Sequence, residues 1–256
     1  MPTSPVNCKI NLGLNIIRKR ADGYHDLQTV FYPTEAFMDM LSLEPIAEDF
    51  DFVCRSAENI GPLADNLCVR AFRLLQRDYG IRGVRLVLDK RIPTGAGLGG
   101  GSADAAFTLK LLARHFALPL DSAALKRYAA RIGSDVPFFI DNRPAYATGR
   151  GEMLTPVDVD LSAYHIRVVK PEVSVSTREA YAHVYPREDD VNFADVVCQV
   201  PVHEWKKYLY NDFENSVFER YPQMADIKRK LYDDGALYAA MSGSGSAVFG
   251  IFPKEI

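Results

Sequence analysis

Pro93-Thr94-Gly95-Ala96-Gly97-Leu98-Gly99-Gly100-Gly101-Ser102-Ala103-Asp104-Ala105-Ala106 places five glycines within seven residues. A strand-like apolar run, Val84-Arg85-Leu86-Val87-Leu88, precedes it. Behind it Ala105, Ala106, Leu109, Leu112, Ala113 and Phe116 fall at the spacings of three and four that mark a helix face. Ser102 is the expected N-cap, its hydroxyl accepting from an amide of the first turn. Strand, glycine loop and helix start together suit an anion. Glycines let successive N–H groups converge without side chains in the way, and a helix start adds donors and roughly half a unit of positive charge. A phosphate is the expected guest; a plain connecting turn needs one glycine, and the others carry an entropic penalty. The loop lacks the Gly-Lys-[Ser/Thr] ending of a Walker A sequence, since Ser102 follows Gly101 directly. Gly95, Gly97 and Gly100 satisfy G-x-G-x-x-G. A dinucleotide fold would need an acidic residue about twenty positions on, at the end of a second strand. Asp121 has the distance but follows Leu118-Pro119-Leu120 and opens another helical stretch.

The chain of 256 residues is long enough for a large core and one or two domains. Its 48% hydrophobic and 25% charged residues are those of an ordinary globular protein. A net charge of −3 gives no electrostatic case for nucleic acid or an anionic membrane. No basic region with an apolar core begins the sequence, and no apolar run approaches the ~18 residues that span a bilayer. Cys8, Cys54, Cys68 and Cys198 show neither zinc spacing nor a disulfide framework. A reducing cytoplasm is the expected setting.

Residues 7–16 alternate as a strand: Cys8, Ile10, Leu12, Leu14 and Ile16 on one face, Asn7, Lys9, Asn11, Gly13 and Asn15 on the other. The second face either meets water or serves a polar ligand. A loop from Arg18 to Asp26 carries the turn signal Asp22-Gly23, then Tyr24-His25: a partly exposed aromatic pair, or a stacking face with a hydrogen-bonding ring for a planar heterocycle. Strands are expected at Leu27–Phe31 and Met38–Leu43. Asp65 should cap a helix closed by Gly80, and Asp121 one closed by Gly133. In Gly133-Ser134-Asp135-Val136-Pro137-Phe138, Asp135 reads as a helix N-cap before a first-turn proline, a role compatible with a functional one. A domain boundary is expected near 156, giving domains 1–155 and 156–256. Residues 186–203 read as polar and irregular, the most flexible stretch. Two final strands, Leu237–Met241 and Ala247–Phe252, are joined by Ser242-Gly243-Ser244-Gly245-Ser246, a second small-residue loop suited to closing over phosphates.

The glycine string resembles the ATP loop of the GHMP kinases, named for galactokinase, homoserine kinase, mevalonate kinase and phosphomevalonate kinase, which has the form Pro-x-Gly-x-Gly-Leu-Gly-(Gly/Ser)-Gly-Ser-(Ala/Ser). Lys9-Ile10-Asn11-Leu12, Asp22-Gly23-Tyr24-His25-Asp26-Leu27-Gln28-Thr29, the Gly133–Phe138 segment and Ser242–Gly245 resemble one branch, which phosphorylates the 2-hydroxyl of a cytidyl diphosphate sugar alcohol in the non-mevalonate isoprenoid route. The resemblance implies an α+β, two-domain GHMP kinase fold: a ribosomal protein S5 domain 2-like N-terminal domain with a left-handed unit, and a ferredoxin-like C-terminal domain. Strand and helix pattern alone would give a right-handed crossover. The resemblance makes Asp135 the general base with Lys9 beside it. ATP falls to Pro93, Thr94, Gly95, Ala96, Gly97, Leu98, Gly99, Gly100, Gly101, Ser102 and Ala103, with Asn66 and Lys90 near the nucleotide. Tyr24 stacks on the cytosine, His25 hydrogen-bonds its edge, Tyr181 stands on the opposite face, and Asn11 and Thr177 hold the diphosphate side. Ser242, Gly243, Ser244 and Gly245 lie near the phosphates. ATP and Mg²⁺ are the implied cofactors, with no metal ligand evident in the sequence, and small molecules are the only implied partners. By the resemblance, relatives carry another helix and strand after the Ser242–Gly245 loop, whereas this sequence stops soon after it, at Ile256.

Phosphoryl transfer needs alignment and charge neutralisation more than covalent help. Asp135 could take the hydroxyl proton from about 3 Å, and Lys9 could stabilise the developing alkoxide. A neighbouring lysine would lower the carboxylate pKa, so position should count for more than basicity. The rival readings are another GHMP kinase, such as a homoserine or mevalonate kinase, and a nucleotide-binding module without catalysis.

Overall fold

Two long strands open the chain: β1, Thr3–Lys19, and β2, His25–Pro45, paired with each other. The computed structural model describes residues 2–58, 61–187 and 190–254. The alternation of residues 7–16 does form a strand, but its polar face does not meet water. Asn7, Lys9, Asn11 and Asn15 are buried along with Cys8, Ile10, Leu12 and Ile16. Buried amides need partners, and these have them. Asn7 and Asn142 exchange side-chain hydrogen bonds, Asn11 Nδ2 donates to Thr29 Oγ1 at 2.9 Å, and Asn15 Nδ2 donates to Asp212 Oδ2 at 2.9 Å. The two strands expected between residues 27 and 43 are one continuous strand, β2.

The chain divides into two compact units that do not follow it linearly. The first comprises Met1–Cys8, Phe37–Thr94 and Gly99–Asn142; the second, Lys9–Ala36, Gly95–Leu98 and Arg143–Ile256. β1 and β2 contribute residues to both, and so does the glycine loop.

In the first unit the end of β2 pairs antiparallel with β4, Val84–Asp89, from Met40 opposite Asp89 to Pro45 opposite Val84. β4 runs parallel to β3, Phe50–Arg55. Parallel neighbours need a crossover, and α1, Leu67–Tyr79, lies in it. Phe72 of α1 stacks on Phe50 of β3 with ring centroids 3.7 Å apart. Three further helices follow: α2, Gly100–His115; α3, Ser122–Ala130; and α4, Val136–Asp141, with α2 packed against both α1 and α4. Asp121 caps α3 as expected, accepting from Ala124 N at 2.7 Å. Two other caps differ. Leu63–Asp65 form a short 3₁₀ turn, so Asn66, not Asp65, accepts from Cys68 N and caps α1. Helix α2 starts at Gly100, one turn too early for Ser102, which makes no capping bond.

In the second unit the start of β2 pairs with β5, Ala145–Thr148, which pairs with β6, Met153–Pro156. A separate antiparallel sheet has the order β7-β9-β8, from Tyr164–Val169, Val248–Pro253 and Tyr238–Met241 respectively. The remaining helices are α5, Thr177–Ala182; α6, Phe193–Gln199; α7, Phe213–Arg220; and α8, Pro222–Asp233. α8 packs on β8 and β9, and its Met224 and Leu231 join Leu14, Ile16, Phe213, Met241, Val248 and Phe252 in one apolar core. The stretch 186–203 is not irregular throughout. It contains α6, whose Phe193 is fully buried. The Phe193 ring fills space beside Gly13, where a Cβ would come within 2.7 Å of it and where φ is +72°. Residues 188 and 189 of that stretch lie outside the described residues.

None of the four cysteines is in a disulfide. Among the described residues no helix is long and apolar enough to cross a membrane.

Candidate active site

The glycine loop leaves β4 and ends at the N-terminus of α2. The first-turn amides of α2, at Gly100, Gly101 and Ser102, are those a helix leaves without a partner of its own. Such a helix start has the geometry that anion binding requires. Before the loop, Thr94 donates to Glu58 Oε2 through both its amide, at 2.9 Å, and its hydroxyl, at 2.6 Å.

Within the second unit the loop tip is fastened by its carbonyls. Gly97 O accepts from Lys9 Nζ at 2.8 Å and from Ser242 Oγ at 2.9 Å. Lys9 Nζ also donates to Asn11 Oδ1 at 2.5 Å, and Ser242 Oγ lies 3.4 Å from that oxygen. Main-chain bonds run from Lys9 N to Leu98 O, 3.0 Å, and from Ala247 N to Ala96 O, 3.1 Å. A Cβ on Gly243 would lie 3.3 Å from both Asn11 Oδ1 and Gly97 O. Asn211 Nδ2 donates to Met241 O and Gly243 O at 2.8 Å each, fixing the 242–246 loop from below. Thr177 Oγ1, in the first turn of α5, lies 3.3 Å from Ser244 Oγ. The structure thus joins five expected site elements in one polar cluster: Lys9, Asn11, the glycine loop, the serine-glycine loop and Thr177. Lys9 is 4% exposed, and its ammonium is stable there because oxygens share its charge and the Phe31 ring lies 5.0 Å away.

The hairpin between β1 and β2 presents the aromatic pair. Arg20 pairs with Asp22 and Asp26, Asp22 Oδ1 accepts from Tyr24 N at 3.1 Å, and Arg20 N donates to Tyr24 O at 2.8 Å. The bond to Arg20 holds the Asp22 carboxyl below the usual carboxylate range. Tyr24 remains 57% exposed, with the Arg150 guanidinium 4.8 Å from its ring centre. His25 stacks on Tyr181, centroids 4.9 Å apart and planes 27° from parallel, and Tyr181 meets Phe213 edge-on. Burial lowers the His25 pKa, and nearby Lys19 lowers it further.

The remaining expected residues lie in the first unit. Asp135 occupies the N-cap position of α4 with Pro137 in the first turn, yet its dihedrals are helical and its side chain makes no capping bond to the helix. Asn66 uses its side-chain oxygen to cap α1. The Lys90 side chain is 7% exposed, and its ammonium pairs with Asp39 and Asp104. The sequence reading missed those two acids, along with Arg150 and Glu58. Their signals were present: Asp39 interrupts the apolar run Met38–Leu43, and Asp104 stands among alanines on an apolar helix. Among the described residues there is no group of three or more His, Cys, Asp or Glu that could hold a metal ion. A magnesium ion that travels on nucleotide phosphates needs no such cage.

A glycine loop feeding a helix N-terminus and fastened to a second small-residue loop has counterparts among known proteins. Residues 66–143 match the model of the GHMP kinases N terminal domain and residues 201–256 that of the GHMP kinases C terminal domain. Mevalonate kinase from Methanococcus jannaschii shares the fold, at a TM-score of 0.70 and 10% identity over 98% of this chain and 90% of that one. The class is therefore a GHMP kinase. The 4-diphosphocytidyl-2-C-methyl-D-erythritol kinase of Bacteroides fragilis (strain YCH46) is 48% identical over 97% of this chain and 91% of its own. A crystal structure of 4-(cytidine 5'-diphospho)-2C-methyl-D-erythritol kinase matches with a TM-score of 0.82 and 33% identity, covering 98% of this chain and 90% of that one. The chain belongs to the 4-diphosphocytidyl-2-C-methyl-D-erythritol kinase family.

Proposed function

We propose that the chain transfers the γ-phosphoryl group of ATP to the 2-hydroxyl of 4-diphosphocytidyl-2-C-methyl-D-erythritol, giving the 2-phosphate and ADP in the non-mevalonate route to isopentenyl diphosphate. The observation that carries this reading is the Asp22–His25 hairpin standing ready-made in a chain with a GHMP glycine loop. Residues 93–103 hold the ATP, main-chain amides between Gly95 and Ser102 receiving its phosphates, with Asn66 and Lys90 supporting that end and Ser242–Gly245 closing on it. Mg²⁺, when bound with ATP, supplies further neutralisation of phosphate charge. Asp135 accepts the hydroxyl proton, and Lys9 stabilises the developing alkoxide. Asn11 and Thr177 hold the diphosphate of the acceptor. The setting is the cytoplasm.

Tyr24 supplies a stacking face for the cytosine, with Tyr181 on its other side and His25 at its edge. The apposed His25 and Tyr181 rings must part if the base is to enter between aromatic faces. Tyr24→Ala should raise KM for the cytidyl acceptor by a factor of about 5 to 150 and leave KM for ATP within about twofold, since stacking is worth ~1–3 kcal/mol per base. Steady-state ADP release with each substrate varied checks this. An acceptor KM unmoved by Tyr24→Ala would favour a small acceptor, as in a homoserine or mevalonate kinase. His25 contributes as a neutral ring. Because its pKa is lowered, it stays neutral at pH values where a free imidazole is already half charged. Acceptor KM should therefore hold constant as pH falls through 6.5, the ordinary histidine value, and rise only below it. A pH series of KM, compared with His25→Gln, tests the sign.

A further inference from the structure

Lys90, Asp39 and Asp104 form a buried cluster under the glycine loop. Asp39 and Asp104 are 1% and 2% exposed. Lys90 Nζ pairs with Asp39 Oδ2 and, at 3.2 Å, with Asp104 Oδ2. Asp39 Oδ1 accepts from the amides of Arg91 and Ile92, the latter at 2.7 Å. One aspartate thus holds the chain where it leaves β4, and the other rides on the second turn of α2. The ammonium ties them together. It also lies 3.0 Å from where a Cβ on Gly100 would stand, so it touches the helix start itself.

We infer that this cluster sets the conformation of the two ends of the ATP loop before nucleotide arrives, and that Lys90 is a positioning residue whose charge is used within the protein. The inference rests on the ATP-loop reading above. Two carboxylates and one ammonium would leave a net negative charge in the interior, which is costly. Asp104 Oδ1 is buried with no hydrogen-bond partner, a poor place for an ionised oxygen. A proton on Asp104 removes both difficulties, leaving Asp39 ionised and the cluster neutral. Burial pushes the Asp104 carboxyl well above the usual carboxylate range, and Asp39 adds to that push against the pull of Lys90. Burial weighs against a charge on Lys90, and the attraction of Asp39 together with hydrogen bonds to both carboxyls keeps it. Since Asp39 holds two successive amides, cutting the cluster would release the residues just before Pro93 and let the loop sample other shapes.

The test compares Lys90→Met, Asp104→Leu and Asp104→Asn in the full chain, by steady-state ADP release with ATP or the acceptor varied. Lys90→Met and Asp104→Leu should raise KM for ATP at least tenfold, with KM for the acceptor within about twofold. Asp104→Asn copies the shape of a neutral carboxyl and should restore KM for ATP to within about threefold of the parent. A purely structural role would lower thermal stability and move both KM values together, or neither; either pattern overturns the inference. So does a tenfold loss with Asp104→Asn, which would require an ionised Asp104. If the first two variants do not fold, amide exchange in the nucleotide-free parent decides. Arg91 and Ile92 amides should exchange at least a thousandfold more slowly than a free peptide; exchange at the free-peptide rate overturns the inference. A parent that releases no ADP with any acceptor would instead sink the ATP-loop reading.

Discussion

Replacing Asp135 with asparagine is expected to lower kcat by a factor of ~10²–10⁴, the usual contribution of a positioned general base, with KM for ATP changed by less than about threefold. Asparagine keeps the size of the side chain and one oxygen, but cannot take the proton of the attacking hydroxyl. The fold should survive the change. Asp135 holds the N-cap position of α4 without a capping bond from its side chain, and α4 is anchored by Val136, Phe138 and Phe139, all buried. Thermal denaturation should therefore separate the two roles open to this residue. A capping role predicts a stability loss of about 1 kcal/mol with normal turnover. A catalytic role predicts normal stability with turnover lost. A kcat within tenfold of the parent would remove Asp135 as the base.

The second large effect should come from Gly97→Ala, a change of one methyl group. Gly97 has φ +74°, and an added Cβ would stand 1.9 Å from Ser242 O, 2.8 Å from Ser242 C and 3.3 Å from Gly245 N. These are backbone atoms, so no side-chain rotation relieves the clash. The left-handed backbone adds roughly 1–2 kcal/mol for any residue with a Cβ. The two loops must separate, and Gly97 O then loses the bonds from Lys9 Nζ and Ser242 Oγ. A loosened loop presents its amides poorly, so ATP affinity should fall at least ~100-fold, because misplaced groups lose most of their benefit. Titration calorimetry with ATP, alongside circular dichroism to confirm folding, reads the effect. Affinity within about threefold of the parent would mean the close approach of the loops is not needed for binding.

Much of this site is legible in the chain because its chemistry is local. The strand, glycines and helix of the proposed phosphate site are consecutive, so spacing alone gives a glycine loop feeding a helix start. Ser102 was misplaced as the cap because a run of glycines carries no side-chain pattern to say where the helix begins. It begins at Gly100. Asp65 and Asn66 are both good caps by type; a 3₁₀ turn over Leu63–Asp65 decides for Asn66. The polar face of β1 was ambiguous for a different reason. Composition shows that Asn7, Lys9, Asn11 and Asn15 are unusual surface residues, but only the tertiary structure supplies Asn142, Thr29 and Asp212 as their partners. Long-range pairing also hid α6. Phe193 is held by a cavity that Gly13 leaves open, 180 residues earlier, and no local pattern shows that. Lys90 illustrates the same limit from the opposite side. As a lysine just before a phosphate loop it reads as a nucleotide ligand, and only its two buried acids reveal a different use of its charge.

The most direct measurement is the product itself. The full chain would be incubated with ATP, Mg²⁺ and 4-diphosphocytidyl-2-C-methyl-D-erythritol, and followed by phosphorus NMR with proton correlation. One new phosphomonoester should form at the oxygen of C2, one for each ADP released, and faster than any product from homoserine or mevalonate under the same conditions. ADP formation without that ester, or preferential phosphorylation of one of the smaller alcohols, would contradict the proposed reaction.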